Sequence, residues 1–366
     1  MSKKVIILAN SAAGLCSFRL ELVTRLVQEG YRVVVSVPMD NRVPDIEAVG
    51  ATVMSIQIER RGTNPLKDLQ LWWQYCQLLR KERPDAVLTY TIKPNIYGGL
   101  AARCSKVPYI ANITGLGSAV ENPGLLQKIT VALYRVAMRQ ARCIFFQNPG
   151  NEAFFAERQI RNEVHRVIPG SGVNLEKFSY RPYPSEHQPL KFVFISRLMR
   201  EKGIEEYFAA AKHFKPLYPD MEFHILGACE EAYEAQLKEL QDQGIVQYHG
   251  QQKDVRPFIE QANCTIHPTF YPEGMSNVVL ESAALGHPVI TTRRHGCMEA
   301  VEDGVTGYLF PERDTEALIA CLERFIALPY TEKVRMGRAA HEKMNREFNR
   351  QIVVHAYLEE LQKLDV

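Results

Sequence analysis

A chain of 366 residues exceeds the size at which one hydrophobic core usually stops growing, so two domains are expected. Its apolar content of 46% and net charge of +2 are those of an ordinary globular protein. No run approaches the roughly 18 apolar residues of a membrane span, and Val5 to Ala9 is too short for the core of a signal peptide, so the chain reads as cytoplasmic. The charge is uneven: residues 1–180 hold 23 Lys and Arg against 14 Asp and Glu, and residues 181–366 hold 21 against 28. A basic first half suits an anionic partner, and solvated helix faces account for it equally well. Cysteines at 16, 76, 104, 143, 229, 264, 297 and 321 show no Cys-x-x-Cys pair and no histidines at metal-ligand spacing, which predicts free thiols and no metal centre.

In chain order, Val5-Ile-Ile-Leu-Ala9 reads as a strand, followed by a helix whose inner face is Phe18, Leu22, Val23 and Leu26. Strands are predicted at Arg32 to Val37, Thr52 to Ile58, Ala86 to Tyr90, Val107 to Ala111, Cys143 to Gln147 and Arg166 to Ile168, most of them separated by helix-length segments. The proline-rich stretch Arg181 to Pro189 interrupts this rhythm and reads as an interdomain linker. Strands then recur at Phe192 to Ser196, Glu222 to Leu226, Ile245 to His249, Thr265 to Pro268, Pro288 to Thr292 and Gly307 to Phe310. After Tyr330 the chain is helical, with an apolar stripe of Ile352, Val353, Tyr357 and Leu361. The alternation predicts an α/β protein of two Rossmann-like, doubly wound domains, residues 1–182 and 190–344, facing a central cleft. Such sheets bind ligands beyond the carboxyl ends of their strands.

Two motifs fall at such ends. In Ser196-Arg-Leu-Met-Arg-Glu-Lys-Gly203 the cations Arg197 and Lys202 leave the first strand of the second domain, where a planar fork and a compact charge can grip a diphosphate together. Tyr271-Pro-Glu-Gly-Met-Ser-Asn-Val-Val-Leu-Glu281 leads from a strand into a helix starting near Ser276. The turn of Gly274, Met275, Ser276 and Asn277 offers backbone N–H groups to phosphate. Glu281, inside that helix, can hold a ribose diol, and Glu273, ahead of it, can meet sugar hydroxyls.

These residues resemble the GT-B-fold glycosyltransferases, specifically the retaining family-4 enzymes. The Glu-x7-Glu motif of that family is matched by Glu273 and Glu281, and its Arg-x4-Lys pair by Arg197 and Lys202. Ala283-Ala-Leu-Gly-His-Pro-Val-Ile-Thr-Thr292 and Gly304-Val-Thr-Gly-Tyr-Leu-Phe310 are also similar, and the likeness runs from Val5 to Leu361. It implies that Glu281 binds ribose, that Glu273 binds the donor sugar near the anomeric carbon, that Arg197 and Lys202 hold the diphosphate, and that a C-terminal helix at about 345–366 completes the first domain. Retention of anomeric configuration and a preference for UDP-sugars follow from the same likeness, with the base near Gly250 to Asp254. No Asp-x-Asp occurs, so transfer is expected to be metal-independent, with no cofactor.

In the first domain, Asn10-Ser-Ala-Ala-Gly-Leu-Cys-Ser-Phe-Arg19 sits between strand and helix, and Gly14 is either a donor contact or an ordinary turn glycine. Arg60-Arg-Gly-Thr-Asn-Pro65, Thr91-Ile-Lys-Pro-Asn-Ile-Tyr-Gly98 and Asn112-Ile-Thr-Gly-Leu-Gly117 resemble a bacterial subgroup that extends polyprenyl-diphosphate-linked sugars in capsule, O-antigen or glycan assembly. The acceptor implied is undecaprenyl diphosphate carrying a saccharide, with Lys93, Asn95 and Thr114 on its side or near the donor sugar. Thr114 stands where many family-4 enzymes have a histidine. Lys128, Arg135, Arg139 and Arg142 fall on one face of a helix over Leu125 to Arg142, opposite Leu126, Ile129, Leu133 and Val136. Such a helix suits either a core-packed place or an anionic membrane surface, which would put the protein on the inner face of the plasma membrane.

A nucleotide-sugar 2-epimerase shares the architecture and is the alternative enzyme, separable because it needs no acceptor. A nucleotide-sugar-binding protein without turnover is a third reading. Without a Gly-x-Gly-x-x-Gly fingerprint a nicotinamide dehydrogenase is not expected, and no nucleic-acid partner is predicted.

Overall fold

The computed structural model of the protein describes residues 2–59, 62, 64–160, 162 and 164–365. The chain divides into two compact units, the first Met1–Ser171, Pro272–Met275 and Gln351–Val366, the second Gly172–Tyr271 and Ser276–Arg350. In the first unit the strands are β1 (Lys4–Leu8), β2 (Arg32–Val37), β3 (Thr52–Ser55), β4 (Ala86–Tyr90), β5 (Tyr109–Ile113), β6 (Cys143–Phe146) and β7 (His165–Val167). They form one parallel sheet in the order β3-β2-β1-β4-β5-β6-β7. Alternation along each strand divides the core between the two faces. Val5 and Ile7 of β1 pack with Leu22, Val23 and Leu26, and Ile6 and Leu8 pack with Leu71, Tyr75 and Tyr134. Strands buried on both faces are apolar throughout, and helices must cover both sides.

The helix Ala12–Gln28 buries Ala12, Leu15, Cys16, Arg19, Leu22, Val23 and Leu26. Phe18, predicted on its inner face, is 36% exposed. At 100° per residue the buried arc is centred on Arg19, which leaves Phe18 about a quarter turn away. The Arg19 guanidinium lies 5.3 Å from the Tyr90 ring centroid. In the C-terminal helix Arg350–Gln362, Ile352 is likewise 39% exposed while Val353, Val354, Tyr357, Leu358 and Leu361 are buried. That helix lies on the first unit's core, with the Tyr357 ring 4.7 Å from that of Phe145 and Asn112 Nδ2 donating to Tyr357 Oη at 2.6 Å.

The second unit carries β8 (Lys191–Ile195), β9 (Glu222–Leu226), β10 (Gln247–Tyr248), β11 (Cys264–His267), β12 (Val289–Thr292) and β13 (Gly307–Phe310), all parallel, in the order β10-β9-β8-β11-β12-β13. The Arg181 to Pro189 stretch belongs wholly to this unit and does not link the two. Tyr183 is buried and donates to Asn263 O at 2.8 Å, and Arg181 pairs with Glu260 at 3.0 Å. The stretch is thus pinned to its own unit rather than being a loose connection. Among the described residues no helix is long and apolar enough to cross a membrane.

Candidate active site

The order of each sheet reverses once, between β1 and β4 in the first unit and between β8 and β11 in the second. Neighbouring strands whose connections depart to opposite sides leave a crevice at their carboxyl ends. In the second unit those ends lead into the two motifs. After Ile195 the chain runs through Arg197 into a 3-10 turn, Arg200–Lys202, and then the helix Ile204–Phe214. Gly203, at φ 77°, makes the junction, and a Cβ there would collide with Pro268 O at the end of β11. Only glycine lets the two strand ends approach so closely. The turn sets Lys202 into the protein, 7% exposed. Arg197 stays nearer solvent and pairs with Glu230 at 2.6 Å.

Both cations converge on one aromatic ring. Lys202 Nζ lies 4.6 Å and Arg197 Cζ 5.7 Å from the centroid of Tyr271, where the negative face of the ring attracts a cation. Burial is the main cause that lowers Lys202 to about 8, with the nearby Arg197 charge acting in the same direction. Near neutral pH this ammonium is still charged, held in a place that an arriving diphosphate would stabilise.

The helix Asn277–Ala284 begins at Ser276, as predicted from the turn residues. Ser276 N donates to Gly296 O at 2.7 Å. The Ser276 hydroxyl is turned to His267 Nε2 at 2.9 Å instead of capping its own helix. His267, at the end of β11, is fully buried, and burial first, then Lys202, depresses it to about 3, so it is neutral. Its Nδ1 has no hydrogen-bond partner. One helical turn on, burial pushes Glu281 up to about 7, against the attraction of Lys177 and Arg350. Arg197, Lys202, Ser276, Asn277 and Glu281 thus belong to one unit and stand at the same end of its sheet.

Pro272–Met275, with Glu273, is grouped with the first unit. Asn148 organises it. Its Oδ1 caps the helix Pro149–Glu157 by accepting from Asn151 N at 2.8 Å, while its Nδ2 donates to Gly274 O at 2.5 Å and to Glu273 O at 3.2 Å. Gly274 lies so close to Thr114 O and Gln147 Oε1 that a Cβ there would collide with both, and a Cβ on Gly170 would collide with the Met275 side chain. Thr114 therefore meets this segment through its backbone.

The remaining first-unit candidates have structural partners. Asn95 is completely buried, accepting from Thr89 Oγ1 at 2.7 Å and donating to Asn112 O at 2.8 Å. Gln147 Nε2 extends the chain to Asn112 Oδ1 at 3.1 Å. Lys93, which reads from the sequence as an acceptor-phosphate contact or a surface lysine, is an inward-turned member of an ion pair. Its Nζ is 2.6 Å from Asp68 Oδ1, and Tyr97 Oη donates to Asp68 Oδ2 at 2.9 Å. This pair borders a cavity of about 430 Å³ that also touches Met39, Gln57 and Lys67. A larger cavity, about 580 Å³, is lined by Arg139, Phe146, Phe155 and His165 and includes none of the candidate site residues. Gly14 lies inside the helix, with its N–H donated to Ser11 Oγ at 3.1 Å, so the segment Ala12–Arg19 is helix and not loop. Asp40 Oδ2 accepts from Ala13 N at 3.1 Å, filling the anion position of the helix start with the protein's own carboxylate. Arg60, Arg61 and Thr63 lie outside the described residues.

The helix Leu125–Met138 buries Thr130, Val131, Tyr134, Ala137 and Met138. Of Leu126, Ile129, Leu133 and Val136, expected opposite the basic face, Leu133 is half-buried and the others are exposed at 43%, 48% and 52%, as is Leu125 at the helix start at 75%, beside exposed Lys128, Arg135 and Arg139. The helix therefore has three faces, since the core takes only the arc around Tyr134. Tyr271, His267 and Arg294 are site-adjacent residues to which the sequence assigned no role. A ring between two cations and a strand-end histidine are visible only once the strand ends are adjacent. Among the described residues no group of three His, Cys, Asp or Glu is placed to hold a metal ion.

Both halves of the chain match known families, Glycosyl transferase 4-like over residues 4–148 and Glycosyl transferases group 1 over residues 176–343. The chain is 25% identical over 368 aligned positions, 96% of each chain, to the N,N'-diacetylbacillosaminyl-diphospho-undecaprenol alpha-1,3-N-acetylgalactosaminyltransferase of Campylobacter jejuni. It is 26% identical over 283 positions, 72% of each chain, to the UDP-Gal:alpha-D-GlcNAc-diphosphoundecaprenol alpha-1,3-galactosyltransferase of Escherichia coli. Its fold is similar to that of Alr3699/HepE of Anabaena in complex with UDP and glucose, with a TM-score of 0.79, 19% identity, and coverage of 99% of this chain and 100% of that one.

Proposed function

We infer from the membership of this chain in the family-4 glycosyltransferases of GT-B fold that it transfers a sugar, with retention, from a UDP-sugar to a saccharide carried on undecaprenyl diphosphate. The observation that carries the donor half is the convergence of Arg197 and Lys202 on Tyr271 at the β8–β11 switch, with Glu281 on the helix that follows β11. The two relatives whose names specify diphospho-undecaprenol acceptors support the acceptor half.

In this reading Glu281 accepts from the ribose hydroxyls, and Arg197, Lys202 and the first turn of the Asn277–Ala284 helix hold the diphosphate. The anomeric C–O bond breaks with its electron pair passing to the β-phosphate oxygen, whose new charge the two cations stabilise. The acceptor hydroxyl forms the glycosidic bond on the face the diphosphate leaves, and its proton passes to the departing phosphate. Glu273 orients sugar hydroxyls and supports the positive charge that develops near the anomeric carbon.

Membrane contact through the Leu125–Met138 helix belongs to the same reading. Its exposed leucines, isoleucine and valine beside three basic residues suit an anionic bilayer. The helix Pro65–Glu82 adds an exposed stripe of Leu66, Leu69 and Trp73, and tryptophan favours the headgroup level. A screen of radiolabelled UDP-sugars against short lipid-diphosphate saccharides tests the whole reading. Labelled lipid product with the donor's anomeric configuration is expected. Inverted product would remove retention, and conversion of donor without any acceptor would identify an isomerase instead.

A further inference from the structure

We propose that Arg294 is a positioning residue for transfer, holding the segment that bears Glu273 and, through Tyr271, the ring on which the diphosphate cations rest. The proposal rests on the roles inferred above for Glu273 and Lys202.

Arg294 follows β12 and is turned inward, with 16% of its side chain exposed. Its Nε donates to Tyr271 O at 3.0 Å. Its Nη1 reaches both oxygens of Glu312, at 2.9 and 3.2 Å. A planar guanidinium fixed on one side by a carboxylate has its remaining donors fixed in direction. The carbonyl of Tyr271 is therefore tied to the ends of β12 and β13, while its N–H donates to Thr269 Oγ1 within its own loop.

Two residues beyond Arg294, Gly296 O accepts from Ser276 N at 2.7 Å, and Gly296 N is itself held by Glu299 Oε2 at 2.7 Å. Tyr271 and Ser276 are the two ends of the segment containing Glu273. The loop after β12 thus holds that segment at both ends, by the Arg294 side chain at Tyr271 and by the Gly296 carbonyl at Ser276. Tyr271 carries Lys202 and Arg197 on its ring, and its carbonyl, held by Arg294, fixes where the chain sets off towards Glu273.

The test uses the full chain carrying Arg294→Ala, Arg294→Lys or Glu312→Gln, with three readouts: turnover of the UDP-sugar found in the screen, UDP affinity by calorimetry, and amide hydrogen exchange over residues 270–277. Misplacing a catalytic group by a fraction of an ångström costs on the order of tenfold or more in rate. Arg294→Ala should therefore lose at least about tenfold in kcat, with a smaller loss of UDP affinity through the Tyr271 ring and with the protein still folded at the assay temperature. Lysine reaches one partner where the fork reaches two, so Arg294→Lys should recover only part of kcat, and Glu312→Gln should fall between it and the parent. Exchange at 270–277 should quicken in Arg294→Ala while the amides of β9 keep their protection. Unchanged exchange at 270–277 would overturn the clamp, as would a kcat loss that merely follows the folded fraction. A parent protein that turns over no UDP-sugar would sink the transferase reading alone, because the exchange result stands independently of it.

Discussion

At the β8–β11 switch of the second unit ionisable groups are displaced from their ordinary behaviour: buried Lys202 lowered to about 8, half-buried Glu281 raised to about 7, buried His267 neutral. Near the strand ends of the first unit a chain of neutral amides and hydroxyls satisfies itself, Thr89 to Asn95 to Asn112 to Gln147, with one buried cation beside it, Arg19 against the Tyr90 ring. Burying charge is costly and persists where a ligand or a reaction uses it, whereas a closed network of neutral hydrogen bonds makes a rigid floor. The second unit concentrates shifted ionisable groups at its switch, and the first keeps a hydrogen-bonded floor that holds a shape. The shape it holds includes Pro272–Met275, through Asn148 and the close approach of Gly274 to Thr114.

The sharpest way to break this contrast is Glu273→Gln. The segment's backbone is fixed by Asn148 whatever side chain stands at 273, so folding should be untouched, and loss of a charge acting on the transition state should lower kcat by roughly 10²-fold. A kcat within a factor of two or three of the parent would mean that Glu273 has no part in the chemistry.

The next effect concerns donor binding and its dependence on pH. Lys202→Ala should weaken UDP binding by roughly 10- to 100-fold, the worth of a charge-assisted hydrogen bond to phosphate. UDP binds the protonated ammonium, so binding raises the pKa of Lys202, and affinity should decline above about pH 8 by at most tenfold per unit. In the proposed reading Glu281 accepts from ribose as a carboxylate, and burial raises it to about 7, so affinity should also decline as pH falls below about 7. Titrating UDP by calorimetry from pH 5.5 to 9.5 should show a narrow optimum between these limits. Glu281→Gln removes the acid limb except for the part owed to the phosphate of UDP itself. A flat profile across that range would disconnect both burial effects from the ligand.

What the sequence makes legible follows the same division. The strands among the described residues fall where the sequence predicts them, most clearly the central ones, because a parallel strand covered on both faces writes itself into the chain as an apolar, β-branched run, whereas the edge strands β7 and β10 are short and partly exposed. The places of Arg197, Lys202 and Glu281, after β8 and on the helix that follows β11, are readable from the strand and turn pattern, whereas their roles come from the family likeness and not from spacing. Asn95 and Lys93 are misread as available groups because an Asn that closes a buried network and an Asn that meets a sugar look alike in one dimension. The register that brings Thr89 beside Ala111 and Tyr90 beside Asn112 decides between them. The Leu125–Met138 helix shows the limit of a two-faced reading: its apolar residues outnumber the places its core contact offers, and only packing reveals which are left outside.

That surplus gives a third, smaller expectation. Leu125→Ser, Ile129→Ser and Val136→Ser together remove apolar surface that is already exposed, so the fold should lose nothing. Sedimentation with vesicles containing anionic lipid should fall several-fold or more, since each side chain that enters the bilayer contributes on the order of 1 kcal/mol. Equal sedimentation by parent and triple variant at physiological salt would take the membrane off this face.

The smallest expected effect tests the first unit's helix start. Gly14 has ordinary helical surroundings, and a Cβ there meets only Ser11, at 3.5 Å. Its N–H is bonded to Ser11 Oγ and its neighbour's to Asp40. Alanine fits this geometry and reduces the freedom of the unfolded chain, so Gly14→Ala should raise stability by about 0.5 kcal/mol and leave the KM for donor unchanged. A large rise in KM would show that a ligand approaches the backbone at Gly14 after all, displacing the Asp40 carboxylate. The first unit would then also bind an anion, and the contrast between the two switches would fail where it is most easily checked.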